Sequence, residues 1–168
     1  MRELLTGGDR RSLGRSHEAV VKVAREPALF EELIACLWDD DFVVRMRAAD
    51  AAEKASLEQP LLLQPFRKEL LGLLEEATQQ ELRWHLALMI PRLRLNATER
   101  RRAHDALTGY LEDRSSIVRT FAMQGLADLG KQDPRLLPGT LEQIRTLTRT
   151  GTAAMKARGR KLLKELEP

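Results

Sequence analysis

Apolar and polar positions along this chain recur in a twelve-residue motif that fits one face of an α-helix. Val44 starts "VRMRAADAAEKA", Leu82 starts "LRWHLALMIPRL", Val118 starts "VRTFAMQGLADL" and Met155 starts "MKARGRKLLKEL". The starts are 38, 36 and 37 residues apart. Position one is apolar in all four (Val44, Leu82, Val118, Met155), and position five is small or apolar (Ala48, Leu86, Ala122, Gly159). Positions eight and nine hold Ala51 and Ala52, Met89 and Ile90, Gly125 and Leu126, Leu162 and Leu163; position twelve holds Ala55, Leu93, Leu129 and Leu166. These five positions share one helix face, which predicts four amphipathic helices with the same core stripe. A fainter copy, "LGRSHEAVVKVA", starts at Leu13 and places Val20, Val21 and Ala24 in the later columns.

A second helix is expected before each clear copy. Leu33, Leu71, Leu107 and Ile144 each stand eleven residues ahead of a copy. Pro27, Pro60 and Pro134 suit the openings of three of these helices, where a missing N–H costs nothing, and Thr98 with Glu99 suits a fourth. Short polar turns ("DDD" at 39–41, "TQQ" at 78–80, "DRSS" at 113–116, "TRTGT" at 148–152) separate the two helices of each pair, and their Asp and Ser residues are natural N-caps. Pro91 removes the hydrogen bond to the Ala87 carbonyl and predicts a kink or an early helix end near 87–91.

Helix pairs repeating every 36 to 38 residues are the mark of a solenoid. The pattern resembles the HEAT repeat of the armadillo-like class. The resemblance implies an all-α fold, a right-handed α-α superhelix of about five helical hairpins with the first incomplete. It implies a single domain over 1–168, with units near 1–26, 27–59, 60–95, 96–130 and 131–168. In that family an Asp in the inter-helix turn and an Arg six residues later form a ladder between neighbours. Asp39 with Arg45 and Asp113 with Arg119 match; Ala77 and Thr150 break the pattern.

Composition adds little chemistry. The chain has 168 residues, 43% hydrophobic, 32% charged and 4% aromatic, enough for one sizeable core. No apolar run approaches the roughly 20 residues of a membrane span, the N-terminus turns polar at once, and Cys36 stands alone. The expectation is a cytoplasmic protein without membrane attachment, monomeric or weakly self-associating. His17, His85 and His104 lack metal-ligand spacing, "DDD" at 39–41 reads as a capped turn, and "TGGD" at 6–9 reads as a turn without a phosphate-loop frame. Ser12 and Ser16 near His17 make no triad. No catalytic residue, metal or cofactor is expected. Net charge is +3, but it is unevenly spread. Residues 27–59 hold three basic and eight acidic residues, a net of −5; residues 131–168 hold nine basic and four acidic, a net of +5.

Columns three, seven and ten point away from the core stripe. In the second helix of a HEAT pair this face lines the concave side of the superhelix. Here it reads Met46, Asp50 and Glu53, then Trp84, Leu88 and Pro91, then Thr120, Gln124 and Ala127, then Ala157, Lys161 and Lys164. His85 lies one step round, in line with Arg47, Phe121 and Arg158. The helix at 82–93 therefore lacks a polar stripe, which fits either close packing by neighbours or an apolar anchor site for a partner. Trp84 beside His85 also invites comparison with the DNA-alkylation-repair glycosylases, which use HEAT-like repeats, but nothing places an acid beside Trp84 in its own helix. The expected function is a non-enzymatic scaffold or adaptor that binds a protein or peptide on this face. The alternative is a nucleic-acid-binding module using the basic last repeat, with Lys156, Arg158, Arg160, Lys161 and Lys164.

Overall fold

A computed structural model describes residues 1–9 and 12–167, and every regular element among them is helical. The chain groups into two compact units, Met1–Glu69 and Leu70–Pro168. The first holds α1 (Arg2–Leu5), α2 (Ser16–Arg25), α3 (Phe30–Ala35) and α4 (Phe42–Glu58), with 3-10 turns at Pro27–Leu29, Cys36–Trp38 and Pro60–Phe66. The helix α5 (Arg67–Glu76) begins at the end of this unit. The second holds the rest of α5, α6 (Gln80–Met89), a 3-10 turn at Ile90–Arg92, α7 (Ala97–Tyr110), α8 (Ser116–Gln132), α9 (Leu137–Thr150) and α10 (Ala153–Leu166).

The repeat columns are the core. Val44, Leu82, Val118 and Met155 are all buried, as are Ala48, Leu86, Ala122 and Gly159 one turn later. Leu33, Leu71, Leu107 and Ile144 on the preceding helices are buried too. Only the far end of α10 loosens, where Leu163 and Leu166 are partly exposed. The fainter first copy needs a correction of register. Leu13 precedes the start of α2 and is 46% exposed, while the buried face of that helix is Ser16, Ala19 and Val23.

Capping follows the polar turns. The Asp41 carboxylate accepts from the Val43 N–H at 2.8 Å, Ser115 Oγ caps α8 and Thr152 Oγ1 caps α10. α7 opens on Asn96 rather than Thr98: its side chain accepts from the Glu99 N–H at 2.9 Å, and Glu99 reaches back to the Asn96 N–H at 3.0 Å, a closed capping box. α6 ends at Met89 and gives way to the Ile90–Arg92 turn that contains Pro91, the early stop expected from its missing N–H.

Position two of each copy is basic (Arg45, Arg83, Arg119, Lys156), and the first two of these fasten the turns. Arg45 Nη1 donates to the Asp39 carbonyl at 2.6 Å, and Arg83 Nε donates to the Ala77 carbonyl at 2.6 Å, each six residues back. The carboxylates look elsewhere: Asp39 is held by Arg2 at 2.6 and 3.1 Å, and Asp113 by Arg83 of the preceding hairpin. Position 77 carries its part through backbone, so Ala77 serves where an Asp was expected.

In the second unit the helices form two layers. α6, α8 and α10 pack side by side, and α7 and α9 back onto α8 and α10. Tyr110 Oη donates to the Leu74 carbonyl at 2.5 Å and joins α7 to α5; His104 Nε2 lies 3.0 Å from Thr140 Oγ1 and joins α7 to α9.

Candidate functional site

In the second unit, the outward residues of α6, α8 and α10 form a continuous stack. The indole of Trp84 lies on the ring of Phe121 with centroids 5.1 Å apart and planes 26° from parallel. The guanidinium of Arg158 sits over the other end of the run, 5.5 Å from the Phe121 centroid. Trp84, Leu88, Phe121 and Arg158 all stay partly exposed. The spacing follows from the repeat: Trp84 occupies column three, Phe121 and Arg158 column four of the next two copies, so neighbouring helices place them one above another.

Beside the stack, α8 and α10 enclose an open groove of ≈ 450 Å³. Ile117, Phe121, Ala154 and Ala157 give it an apolar floor, and Arg158 and Lys161 stand at its edge. Ile117 is 54% exposed, so the apolar floor reaches solvent. A chain of polar contacts fixes the cationic side. Arg158 Nη1 donates to Gln124 Oε1 at 2.8 Å, and Gln124 Nε2 donates to the Asp128 carboxylate at 3.0 and 3.1 Å. Lys131 reaches Asp128 at 3.6 Å and Glu165 at 3.0 Å. The Glu165 hydrogen bond holds the Lys131 ammonium above its usual range, and Lys131 holds Glu165 below the ordinary carboxylate range. Lys161 and Lys164 are exposed and make no ion pair among the described residues.

Seven residues expected on or beside the face lie inside: Met46, Arg47, Asp50, His85, Pro91, Thr120 and Ala127. His85 is 1% exposed because the Trp84 ring covers its imidazole, centroids 3.3 Å apart. Pro91 is buried at the end of α6, where its carbonyl accepts from Gln132 Nε2 at 2.7 Å. In the first unit Met46 and Asp50 are buried because the N-terminal segment, with α1 and α2, packs on that face of α4. Asp50 accepts from Ser16 Oγ and from Lys54 Nζ, each at 2.8 Å. Arg47, also buried, donates to the carbonyls of Leu5, Gly7, Asp9 and Ser12 at 2.6 to 3.0 Å. Glu53 remains partly exposed. The equivalent face of α4 is thus filled by its own chain, whereas the face of α6, α8 and α10 is open. Thr120 is also buried, its hydroxyl bonded to the Ser116 carbonyl at 2.7 Å, and Phe121 takes the place beside Trp84.

Sequence reasoning missed Ile117 and Ala154. Both immediately precede or adjoin a buried first column, and an exposed apolar residue there was the available signal. Among the described residues, no group of three or more His, Cys, Asp or Glu could hold a metal ion, and no helix is long and apolar enough to cross a membrane. Cys36 is buried, its thiol pushed up by that burial and bonded to the Glu32 carbonyl at 3.3 Å. The chain matches no protein-family model, no curated protein and no solved structure.

Proposed function

We propose that this protein is a non-enzymatic scaffold or adaptor of the HEAT-like type, a right-handed superhelix of hairpins, that binds a peptide segment of another protein across α6, α8 and α10. One observation carries the reading: the Trp84–Phe121 stack stays partly exposed and runs directly into an apolar groove. Apolar rings in a folded protein are normally covered, and a rigid aromatic pair beside a preformed groove is how interfaces gain area at little entropic cost. Leu88 and Ile117 extend the apolar patch. Arg158, Lys161 and Lys164 at one end favour a segment that places a carboxylate one or two residues from its apolar anchor, with the charges acting mainly on association rate and specificity.

Binding of single-stranded nucleic acid is the second reading, because bases stack on exposed aromatics flanked by cations. Its phosphate contacts would make affinity fall steeply with salt.

Affinity capture from source lysate separates the readings when wild-type protein and Trp84→Ala are run in parallel. The expected result is a protein partner retained by the wild type, lost by Trp84→Ala and insensitive to nuclease. Retention by both proteins, or a partner released by nuclease, counts against the peptide reading. If the indole serves only packing, Trp84→Ala lowers the melting temperature and no partner is lost.

A further inference from the structure

The first unit carries a second, larger groove that the repeat columns do not predict. It measures ≈ 630 Å³ and lies between the 3-10 turns Pro27–Leu29 and Pro60–Phe66 and the C-terminal end of α4. Phe30 and Phe66 form its floor, centroids 6.1 Å apart, and Leu61 and Leu62 its wall. Leu61 is 61% exposed, so the apolar wall reaches solvent at the rim. Pro27, Pro60 and Pro65 line the groove and fix their own backbone angles, so its shape is largely set before anything enters.

The charged residues that line it have one sign. Glu31 and Glu58 are the charged residues of the lining; both are exposed, and no lysine, arginine or histidine joins them. The negative end of the α4 dipole adds to them, since the last turn of that 17-residue helix holds no basic side chain. An apolar floor under a negative rim repels phosphates and anionic lipid surfaces. It suits an apolar side chain with a cation nearby.

We infer that this groove docks a basic amphipathic segment of a partner protein, inserting a large apolar side chain between Phe30, Phe66 and Leu61 and setting a lysine or arginine against Glu31 and Glu58. The site is separate from the face on α6, α8 and α10 and does not depend on it.

The test is a displayed peptide library, selected on the full-length wild-type protein and counter-selected on Leu61→Asp, an exposed substitution whose folding is checked by circular dichroism. The expected result is enrichment of sequences pairing a Leu, Ile, Phe or Met with a Lys or Arg within one helical turn. A synthetic peptide of the enriched sequence should bind Leu61→Asp and Glu31→Lys/Glu58→Lys at least tenfold more weakly than wild type, and Trp84→Ala unchanged. Enrichment of acidic or uncharged sequences, no enrichment that Leu61→Asp removes, or equal binding by the charge-reversed variant overturns the inference. So does a wild-type protein that dimerises in sedimentation while Leu61→Asp stays monomeric, since the occupant would then be a second copy.

Discussion

Arg47 is the residue whose role departs most from its surroundings in the sequence. It occupies column four, in line with His85, Phe121 and Arg158, yet it is 1% exposed and faces backbone carbonyls rather than a carboxylate. Three glycines make the cage possible. Gly7, Gly8 and Gly14 have φ of 72°, 74° and 52°, and a Cβ on Gly14 would stand 2.7 Å from the Arg47 guanidinium carbon. A buried cation is tolerable only because these dipoles replace its water. Replacing it with Met leaves the carbonyls without a donor, so Arg47→Met should cost about 2 kcal/mol or more of stability. Amides of residues 2–9 should exchange faster with solvent by hydrogen-exchange mass spectrometry, ahead of those in α8.

Among the elements, α8 owes its place to a close backbone approach. A Cβ on Gly125 would approach the Ala87 carbonyl oxygen to 2.5 Å, so glycine here lets α6 and α8 come together with backbone against backbone. Gly125→Ala should lower stability by about 1–3 kcal/mol in urea unfolding, against the usual gain of a Gly→Ala change in a helix. The turns predict a pH dependence. Burial opposes ionisation of Asp113, but the Ser115 N–H and Arg83 outweigh it and hold the carboxyl below the ordinary range. The group's contribution is therefore full above the unfolded aspartate value, about 3.9, and is lost as pH falls through the lower folded value. The melting temperature of Asp113→Asn should lie below that of wild type at pH 7, and the gap should close on acidification below about pH 4. A gap independent of pH would assign the effect to packing.

Across the whole molecule, the core was legible in the sequence and the surface only in part. Columns one and five repeat because burial constrains them at every copy, and all eight of those residues are buried. Outward columns carry no such constraint. Nothing in the spacing of Met46 or Asp50 reveals that the chain's own first residues pack on α4, because the Arg47 bonds that hold residues 5–12 there end on backbone carbonyls, which every sequence has. The groove over Phe30 and Phe66 escaped for a similar reason: it is built from prolines and turns between copies, where the repeat is silent. Charge asymmetry, in contrast, mapped onto real features. The acidic stretch 27–59 supplies Glu31 and Glu58, and the basic stretch 131–168 supplies Arg158 and Lys161.

The claim that α6, α8 and α10 present a peptide-binding face is tested most directly through Trp84 itself. In a Trp38→Phe background Trp84 is the only indole, and its emission can be followed while the captured partner's binding segment is titrated in. A saturable change in emission is predicted, with half-saturation moved to at least tenfold higher concentration by Phe121→Ala and the melting temperature kept within a few degrees of the parent. Binding that saturates by an independent measure while Trp84 emission stays constant would contradict the account.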